Sequence, residues 1–199
     1  MRIGIYGGTF DPPHIGHIEA FKSFLKSFDL DKAFVIPVYL PPHKQVQSAS
    51  TVNDRLNMSR IAFEGISENV FVSDVEIKRQ GKSYTADTIA HFKNEGYEEI
   101  YFLCGTDMIL TMDRWYKPDY IFENATIVYV RRETDVENTK MIDVKVKEYE
   151  NRFGAKIFPL YTNVIEVSST EVRDSVALGE FSYLTEGIKR YIIEGGLYR

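Results

Sequence analysis

Residues 7–17 read GGTFDPPHIGH and follow the apolar-rich run Arg2 to Tyr6, which predicts a buried strand. From His14 onward the apolar residues recur at helical spacing, so the motif is a loop between a strand and a helix. The adjacent glycines Gly7 and Gly8 allow a sharp turn and a close approach of the backbone to a ligand. The two prolines just before the helix restrict the backbone of the loop. They cost no hydrogen bond, because a backbone N–H at the start of a helix has no partner within the helix. This stretch therefore predicts an α/β fold that opens with a ligand-binding loop.

The rest of the chain alternates short apolar runs with longer helical patterns. Strands separated by helices pair in parallel and are covered on both faces. We therefore expect an α/β fold with a mainly parallel sheet and helices on both faces. No repeat, low-complexity tract or linker is visible, which predicts one domain over residues 1–199. Beyond the first strand and the helix at 14–28, strands are predicted at 33–38, 70–78 (with a break at 73–74), 99–103 and 126–130, and helices at 51–66, 85–93, 143–151, 170–178 and 185–194.

The composition narrows the class of protein. A formal net charge of −5 argues against a general nucleic-acid binder, which needs a positive field to neutralise phosphates. We expect no membrane association, because no apolar stretch reaches transmembrane length and the first residues lack a signal-peptide layout. The single cysteine excludes an internal disulfide and favours the cytoplasm. A homo-oligomer is compatible with all of this.

Ligands of open parallel sheets bind beyond the carboxyl ends of the strands, in the strand-to-helix loops. This rule selects the loops at residues 7–13, 39–50, 104–116 and 166–170. The residues with chemical character fall in or next to these loops.

The two histidines of the opening motif, His14 and His17, share one face of the first helical turn. A helix N-terminus attracts anions, and two imidazoles beside it can donate to phosphate oxygens. One histidine could instead cap or pack while the other is solvated. A zinc pair is disfavoured because further ligands at zinc spacing are missing, so no metal site is predicted. With no Walker A or Rossmann glycine motif in the chain, phosphate binding through this loop is the hypothesis.

The opening stretch resembles the G-x-F-D-P-x-H-x-G-H signature of the nucleotidylyltransferase superfamily, which implies a Rossmann-like fold. Residues 168–173, SSTEVR, are similar to the second motif of that superfamily. The serines are typical caps of a helix N-terminus, and Arg173 adds a planar, permanently charged donor. The resemblance implies that His14 and His17 contact a nucleotide triphosphate and that they act with Arg173 in catalysis.

Four intermediate stretches resemble the bacterial nicotinate-nucleotide adenylyltransferases. That resemblance implies transfer of the adenylyl group of ATP to nicotinate mononucleotide, which yields deamido-NAD and pyrophosphate in NAD biosynthesis. It also implies Mg²⁺ carried with ATP. The stretches are Pro37–Lys44, Arg55–Met58, Ser83–Thr88 and Leu103–Tyr116.

Four residues are candidates for binding the mononucleotide. Trp115 and Tyr116 offer an aromatic surface on which a cationic pyridinium can stack, although a tryptophan can equally anchor a core. Thr85 enters a helix and can offer backbone N–H groups to the nicotinate carboxylate, or belong to an ordinary cap. Lys44 is a candidate donor to the mononucleotide phosphate, or a solvated loop lysine.

The resemblance implies that a further set of residues binds ATP. Asp107, after Gly105, can accept from a ribose hydroxyl and can also cap a helix, and Arg55 is expected to pair structurally on its own helix. The predicted ATP-binding set is Gly7, Gly8, Thr9, Phe10, His14, His17, Gly105, Asp107, Ser168, Ser169, Thr170 and Arg173.

Two kinds of alternative stay open. Another adenylyltransferase of the superfamily could act on nicotinamide mononucleotide or phosphopantetheine, because a backbone donor pair that separates acid from amide is invisible in sequence. A nucleotide-binding sensor without turnover is the non-enzymatic alternative. The charged donors of both motifs, His14, His17 and Arg173, disfavour it.

Overall fold

A computed structural model describes residues 1–42, 50–131, 136–162, 165 and 167–199, without the side chains of 136–138. The described residues form a six-stranded sheet in the order β3-β2-β1-β4-β5-β6, with every neighbouring pair parallel. The predicted fold class is therefore confirmed. The strands are Arg2–Gly8 (β1), Lys32–Pro37 (β2), Val70–Val72 (β3), Glu99–Cys104 (β4), Thr126–Arg131 (β5) and Ile157–Tyr161 (β6).

Helices cover both faces of the sheet because the buried strands are apolar on both sides. One core packs β1 against α1, α2, α8 and α9, and the other packs the opposite face against α4, α6 and α7. The helices are Ile15–Ser27 (α1), Val52–Phe63 (α2), Val75–Arg79 (α3), Thr85–Asn94 (α4), Thr106–Ile109 (α5), Pro118–Asn124 (α6), Val136–Phe153 (α7), Ser169–Ala177 (α8) and Glu186–Gly195 (α9), with a 3₁₀ turn at Met112–Arg114.

The strand order reverses between β1 and β4. In parallel sheets this reversal opens a crevice at the carboxyl ends of the two central strands. The loop after β1 carries the GGTFDPPHIGH motif, and the loop after β4 leads into Gly105 and Trp115. The fold thus brings two of the four predicted loops to the two sides of one crevice.

The structure differs from the sequence prediction at α3 and at β6. The extended segment at 70–78 is wrong beyond Val72, since residues 75–79 form α3. The alternating sequence of residues 75–78 imitates a strand, but as a helix it buries Glu76 against Thr88 of α4. Strand β6 was not predicted, because Pro159 interrupts its pattern. The proline is tolerated since β6 is an edge strand.

Cys104 ends β4 and is buried in the core between the sheet and its helices. Burial raises the pKa of its thiol, and the negative field of Asp107 raises it further. Over the described ranges, every helix is too short or too polar to cross a membrane.

Candidate active site

The opening motif and the second motif contact each other directly. The Arg173 guanidinium donates to the carbonyl oxygen of Asp11 over 2.7 Å. The Ser169 hydroxyl donates to the carbonyl oxygen of Pro12 over 3.1 Å. These contacts join residues more than 150 positions apart in the chain. The predicted nucleotide site depends on the two motifs lying close together, and the structure places both of them on one side of the sheet.

Gly16 shows how closely the two motifs approach. A Cβ atom at this position would lie 2.9 Å from the carbonyl oxygen of Ile165, in the segment that leads into α8. It would also lie 3.1 Å from Nδ1 of His14. Real side chains do not tolerate the first distance, so only glycine allows the start of α1 to pack against this backbone.

The histidine pair sits at the N-terminus of α1. His14 is 4% exposed and occupies the N-cap, and its backbone N–H donates to Nδ1 of His17 over 3.2 Å. The two imidazoles lie with their centroids 3.7 Å apart. Phe10 packs its edge against His17 with a centroid distance of 5.3 Å. Packing on one side and the hydrogen bond on the other hold the His17 ring in one orientation.

Burial favours the neutral form of both histidines. Burial lowers the pKa of His14 to about 4, although the negative field of Glu171 opposes this shift. Burial also lowers the pKa of His17 well below its usual value, and the neighbouring His14 adds to the effect. An anion bound between these rings would favour their protonated forms. Nδ1 of His17 already accepts from the His14 backbone N–H, so His14 is the ring suited to gain positive charge when phosphate arrives.

Helix α8 presents its N-terminus beside this pair. Ser168 caps the helix by accepting from the Glu171 backbone N–H, and the Glu171 carboxylate accepts in return from the Ser168 N–H. Thr170 accepts from the second terminal nitrogen of Arg173 over 3.0 Å. The hydroxyls of Ser168, Ser169 and Thr170 thus all make hydrogen bonds within the protein. They order the helix start and its arginine.

On the other side of the opening loop lies a cavity of about 430 Å³. Ile5, Ile36 and Phe102 form its floor at the carboxyl ends of the three central strands. Its walls come from the loop after β2, the start of α4 and the segment after β4. The wall residues named in the sequence analysis are Gly7, Gly8, Thr9, Thr85, Asp107, Trp115 and Tyr116.

Aromatic side chains form one edge of this cavity. Tyr84 and Tyr116 stack at an angle, with ring centroids 4.6 Å apart. The Trp115 indole N–H donates to the Thr111 hydroxyl over 3.4 Å, which holds the ring at the edge of the cavity. Arg114 lines the same edge and adds a positive charge. Flat rings and a guanidinium suit a planar, charged ligand.

A buried polar network supports the start of α4. The Thr88 hydroxyl donates to the Glu76 carboxylate over 2.6 Å, and Arg79 donates to the same hydroxyl over 3.2 Å. The Ser83 hydroxyl accepts from the Tyr39 backbone N–H instead of capping the helix. Burial raises the pKa of Glu76, while hydrogen bonds from Ser83 and Thr88 hold the increase down. The network fixes the turn that leads into Thr85.

Arg55 plays a structural part that differs from the expected pairing on its own helix. Its guanidinium is buried, and it donates to the carbonyl oxygens of Thr9, Val38 and Tyr39 over 3.0, 2.5 and 3.2 Å. Burial lowers the pKa of Arg55, and the negative field of Asp11 partly restores it. One side chain therefore ties the opening loop to the loop after β2.

Several predicted residues occupy positions other than the cavity wall. The Phe10 ring is buried in the core at 1% exposure, so only the backbone of Phe10 belongs to the surface of the loop. Gly105 is the N-cap residue of α5. Lys44 lies outside the described residues.

Six residues of the site escaped sequence reasoning: Asp11, Arg55 in its actual role, Glu76, Tyr84, Arg114 and Tyr198. For Asp11, Tyr84 and Arg114 a signal existed, because each adjoins a residue that was singled out. For the others the contact is made only in three dimensions. Across the part of the chain that the structure describes, His, Cys, Asp and Glu form no group of three or more that could hold a metal ion.

The comparisons with known proteins agree with this geometry. The chain matches the cytidylyltransferase-like family over residues 5–175, a span that contains both motifs. A Caldicellulosiruptor saccharolyticus protein described as a "probable nicotinate-nucleotide adenylyltransferase" is 33% identical over 202 residues, covering 100% of both chains. A Clostridium tetani protein of the same description is 36% identical over 199 residues, covering 98% of each chain.

Solved structures share the fold. The Plasmodium falciparum nicotinic acid mononucleotide adenylyltransferase complexed with NaAD matches with a TM-score of 0.79 and 20% identity, covering 99% of this chain and 97% of that one. A parallel sheet with these two motifs converging at its switch point defines a nucleotidyltransferase fold. The chain belongs to the cytidylyltransferase-like family and, within it, to the nicotinate-nucleotide adenylyltransferases.

Proposed function

We propose that this protein transfers the adenylyl group of ATP to nicotinate mononucleotide and releases pyrophosphate. The single observation that carries the proposal is the direct contact between Arg173 and the opening loop. This contact brings two imidazoles, a guanidinium and two helix N-termini to one place, next to a cavity lined by aromatic rings.

The phosphates of ATP are assigned to the convergence of the two motifs. His14, His17 and Arg173 are the catalytic donors, and the N-terminus of α8 adds backbone N–H groups and a favourable dipole. The backbone of residues 7–10 approaches the nucleotide, and Asp107 after Gly105 accepts from a ribose hydroxyl. Ser168, Ser169 and Thr170 act by holding α8 and Arg173, in agreement with their hydrogen bonds.

The mononucleotide is assigned to the 430 Å³ cavity. The pyridinium ring stacks against Trp115, whose electron-rich face attracts a flat cation. The nicotinate carboxylate accepts from the backbone at Thr85, where the α4 N-terminus favours a negative group. Tyr116 extends the aromatic edge, and Lys44 remains a candidate partner of the mononucleotide phosphate.

The chemistry needs no protein nucleophile. An oxygen of the mononucleotide phosphate, already ionised at neutral pH, attacks the α-phosphorus of ATP. A new P–O bond forms as the bond between the α-phosphorus and the bridging oxygen to the β-phosphorus breaks, and pyrophosphate leaves with the electron pair. The protein aligns the two phosphates and stabilises the negative charge that develops.

Mg²⁺ enters as part of the MgATP substrate in this proposal. We propose further that residues 1–199 act as one catalytic domain, which the full-length match to relatives supports. A cytoplasmic location is supported by the single, buried thiol of Cys104.

A panel of acceptors tests the proposal. Purified protein is mixed with MgATP and, separately, with nicotinate mononucleotide, nicotinamide mononucleotide or phosphopantetheine, and pyrophosphate release is measured. The highest kcat/KM is expected with nicotinate mononucleotide. A higher value with either other acceptor would reassign the substrate, and no release with any of them would favour a nucleotide sensor.

A further inference from the structure

The segment after α9 folds back into the site. Gly196 ends α9 in the left-handed conformation, at a φ of 61°, where glycine is favoured. The backbone N–H of Leu197 returns to the carbonyl oxygen of Ile192 over 3.0 Å, and the Leu197 side chain enters the core. This turn directs Tyr198 toward the opening loop. Its side chain is 6% exposed.

The Tyr198 hydroxyl reaches the residue that holds Arg173. It donates to Oδ1 of Asp11 over 2.5 Å, across 187 positions of sequence. Ser50, two residues before α2, donates to the same oxygen over 2.5 Å. The carbonyl oxygen of Asp11 meanwhile accepts from Arg173. Asp11 is therefore the residue at which the last segment, the opening loop and α8 meet.

We propose that Tyr198 is a positioning residue for adenylyl transfer: through Asp11, its hydroxyl fixes the loop that carries the two histidines relative to Arg173. Asp11 precedes Pro12, Pro13 and His14, so rotation of its backbone would shift the start of α1 relative to the guanidinium that donates to its carbonyl oxygen. A carboxylate oxygen that accepts two hydroxyls has its orientation defined from two sides. Loss of one hydroxyl leaves the peptide unit less constrained.

The electrostatic surroundings of Tyr198 support its role as a hydrogen-bond donor to Asp11. Burial raises the pKa of Tyr198, and the hydrogen bond to Asp11 adds to the increase, so the hydroxyl keeps its proton and remains a donor. Arg173 acts in the opposite direction on the same hydroxyl. The pair of Tyr198 and Asp11 therefore lies within the electrostatic reach of the proposed catalytic guanidinium.

The chain offers a matched control. The Tyr191 hydroxyl donates to the Asp54 carboxylate over 2.9 Å, so it makes the same kind of bond from the neighbouring helix α9. Asp54 belongs to the capping box of α2 and not to the opening loop. Tyr191→Phe and Tyr198→Phe each remove one phenolic hydroxyl from a carboxylate, and only the second one touches the catalytic loop.

The experiment measures kcat, the KM for nicotinate mononucleotide and thermal unfolding for both variants. Tyr198→Phe is expected to lower kcat by about tenfold or more, since small displacements of reacting groups are costly, and to leave the KM within about twofold. Tyr191→Phe is expected to keep kcat within about twofold of wild type. Equal kcat values for the two variants would overturn the proposal. So would a Tyr198→Phe protein that does not unfold cooperatively, because its hydroxyl would then serve stability.

A double variant tests whether Asp11 transmits the effect. On an Asp11→Ala background, Tyr198→Phe is expected to change kcat by less than about twofold, because the shared contact is already gone. Independent, multiplying losses would contradict transmission through Asp11. The inference rests on the proposed function, but different results would refute the inference and the function. Wild-type protein without turnover would refute the function, whereas active wild type with an equally active Tyr198→Phe would refute only the role of Tyr198.

Discussion

The backbone N–H of His14 donates to Nδ1 of His17 over 3.2 Å. An imidazole that accepts at Nδ1 carries its proton at Nε2 when it is neutral. This hydrogen bond therefore caps the start of α1 and leaves His17 one ring nitrogen as a donor. Capping and phosphate contact fall on different atoms of one side chain, and mutagenesis can separate them.

Substitutions of His17 should affect stability through Nδ1 and catalysis through Nε2. His17→Ala removes both roles and is expected to lower kcat by about 10²–10³, as expected for a lost transition-state donor. His17→Asn keeps an acceptor near the Nδ1 position and should restore thermal stability but not kcat. Steady-state kinetics and unfolding curves measure the two effects. Recovery of kcat in His17→Asn would show that the cap, and not the donor, is the important role.

The pH dependence of stability follows from the buried pair. The pKa of His14 is about 4 in the folded protein, against about 6.5 when unfolded, so between these values the unfolded chain binds more protons. The free energy of unfolding should therefore fall as the pH falls, by about 2 kcal/mol between pH 7 and pH 5 from His14 alone. Urea titrations measure this change.

The matched comparison uses two glutamine variants. His14→Gln should lose part of the acid sensitivity, whereas His91→Gln, at a half-exposed site on α4, should retain it. The same pH profile for His14→Gln and wild type would contradict the burial effect on this residue.

Arg55 is expected to be the most sensitive structural residue of the site. Arg55→Leu leaves the carbonyl oxygens of Thr9, Val38 and Tyr39 without their donor, which should cost about 3 kcal/mol or more. Arg60→Leu, a half-exposed change on the same helix, should cost less than about 1 kcal/mol. Denaturant titration of both variants measures the contrast. Equal losses would mean that the three hydrogen bonds contribute little.

Trp115 should affect the acceptor more than the donor. Trp115→Ala is expected to raise the KM for nicotinate mononucleotide about tenfold, because a desolvated contact between a cation and an indole ring is worth about 1–2 kcal/mol. The KM for ATP should stay within about twofold. Trp115→Phe, which keeps a smaller ring, should have a KM for nicotinate mononucleotide between those of wild type and Trp115→Ala. A larger effect on ATP than on the mononucleotide would place the nucleotide base, and not the pyridinium, against this ring.

The sequence predicted those elements whose structure is determined by interactions between residues close together in the chain. The GGTFDPPHIGH stretch predicted the first strand, the loop and α1, because glycine, proline and helical periodicity act over a few residues. The second motif predicted the cap at Ser168 for the same reason. Residues 75–78 were misassigned because their alternating polarity fits a strand, and only the burial of Glu76 against α4 selects the helix.

The supporting residues of the site were beyond the reach of the sequence. Arg55 has three carbonyl partners in two loops, and no spacing rule links an arginine to backbone oxygens of a distant turn. Tyr198 finds Asp11 only because Gly196 reverses the chain after α9. Such contacts depend on how several elements pack together.

Cys104 gives the protein a practical property. Because the sole thiol lies in the core with a raised pKa, it should stay inert toward maleimide dyes in the folded state. A cysteine introduced at an exposed place such as Lys117, beside the aromatic edge, would then be the single reactive handle without removing the native one. Fluorophores attached there could report, in real time, whether the rim shifts as nucleotides arrive.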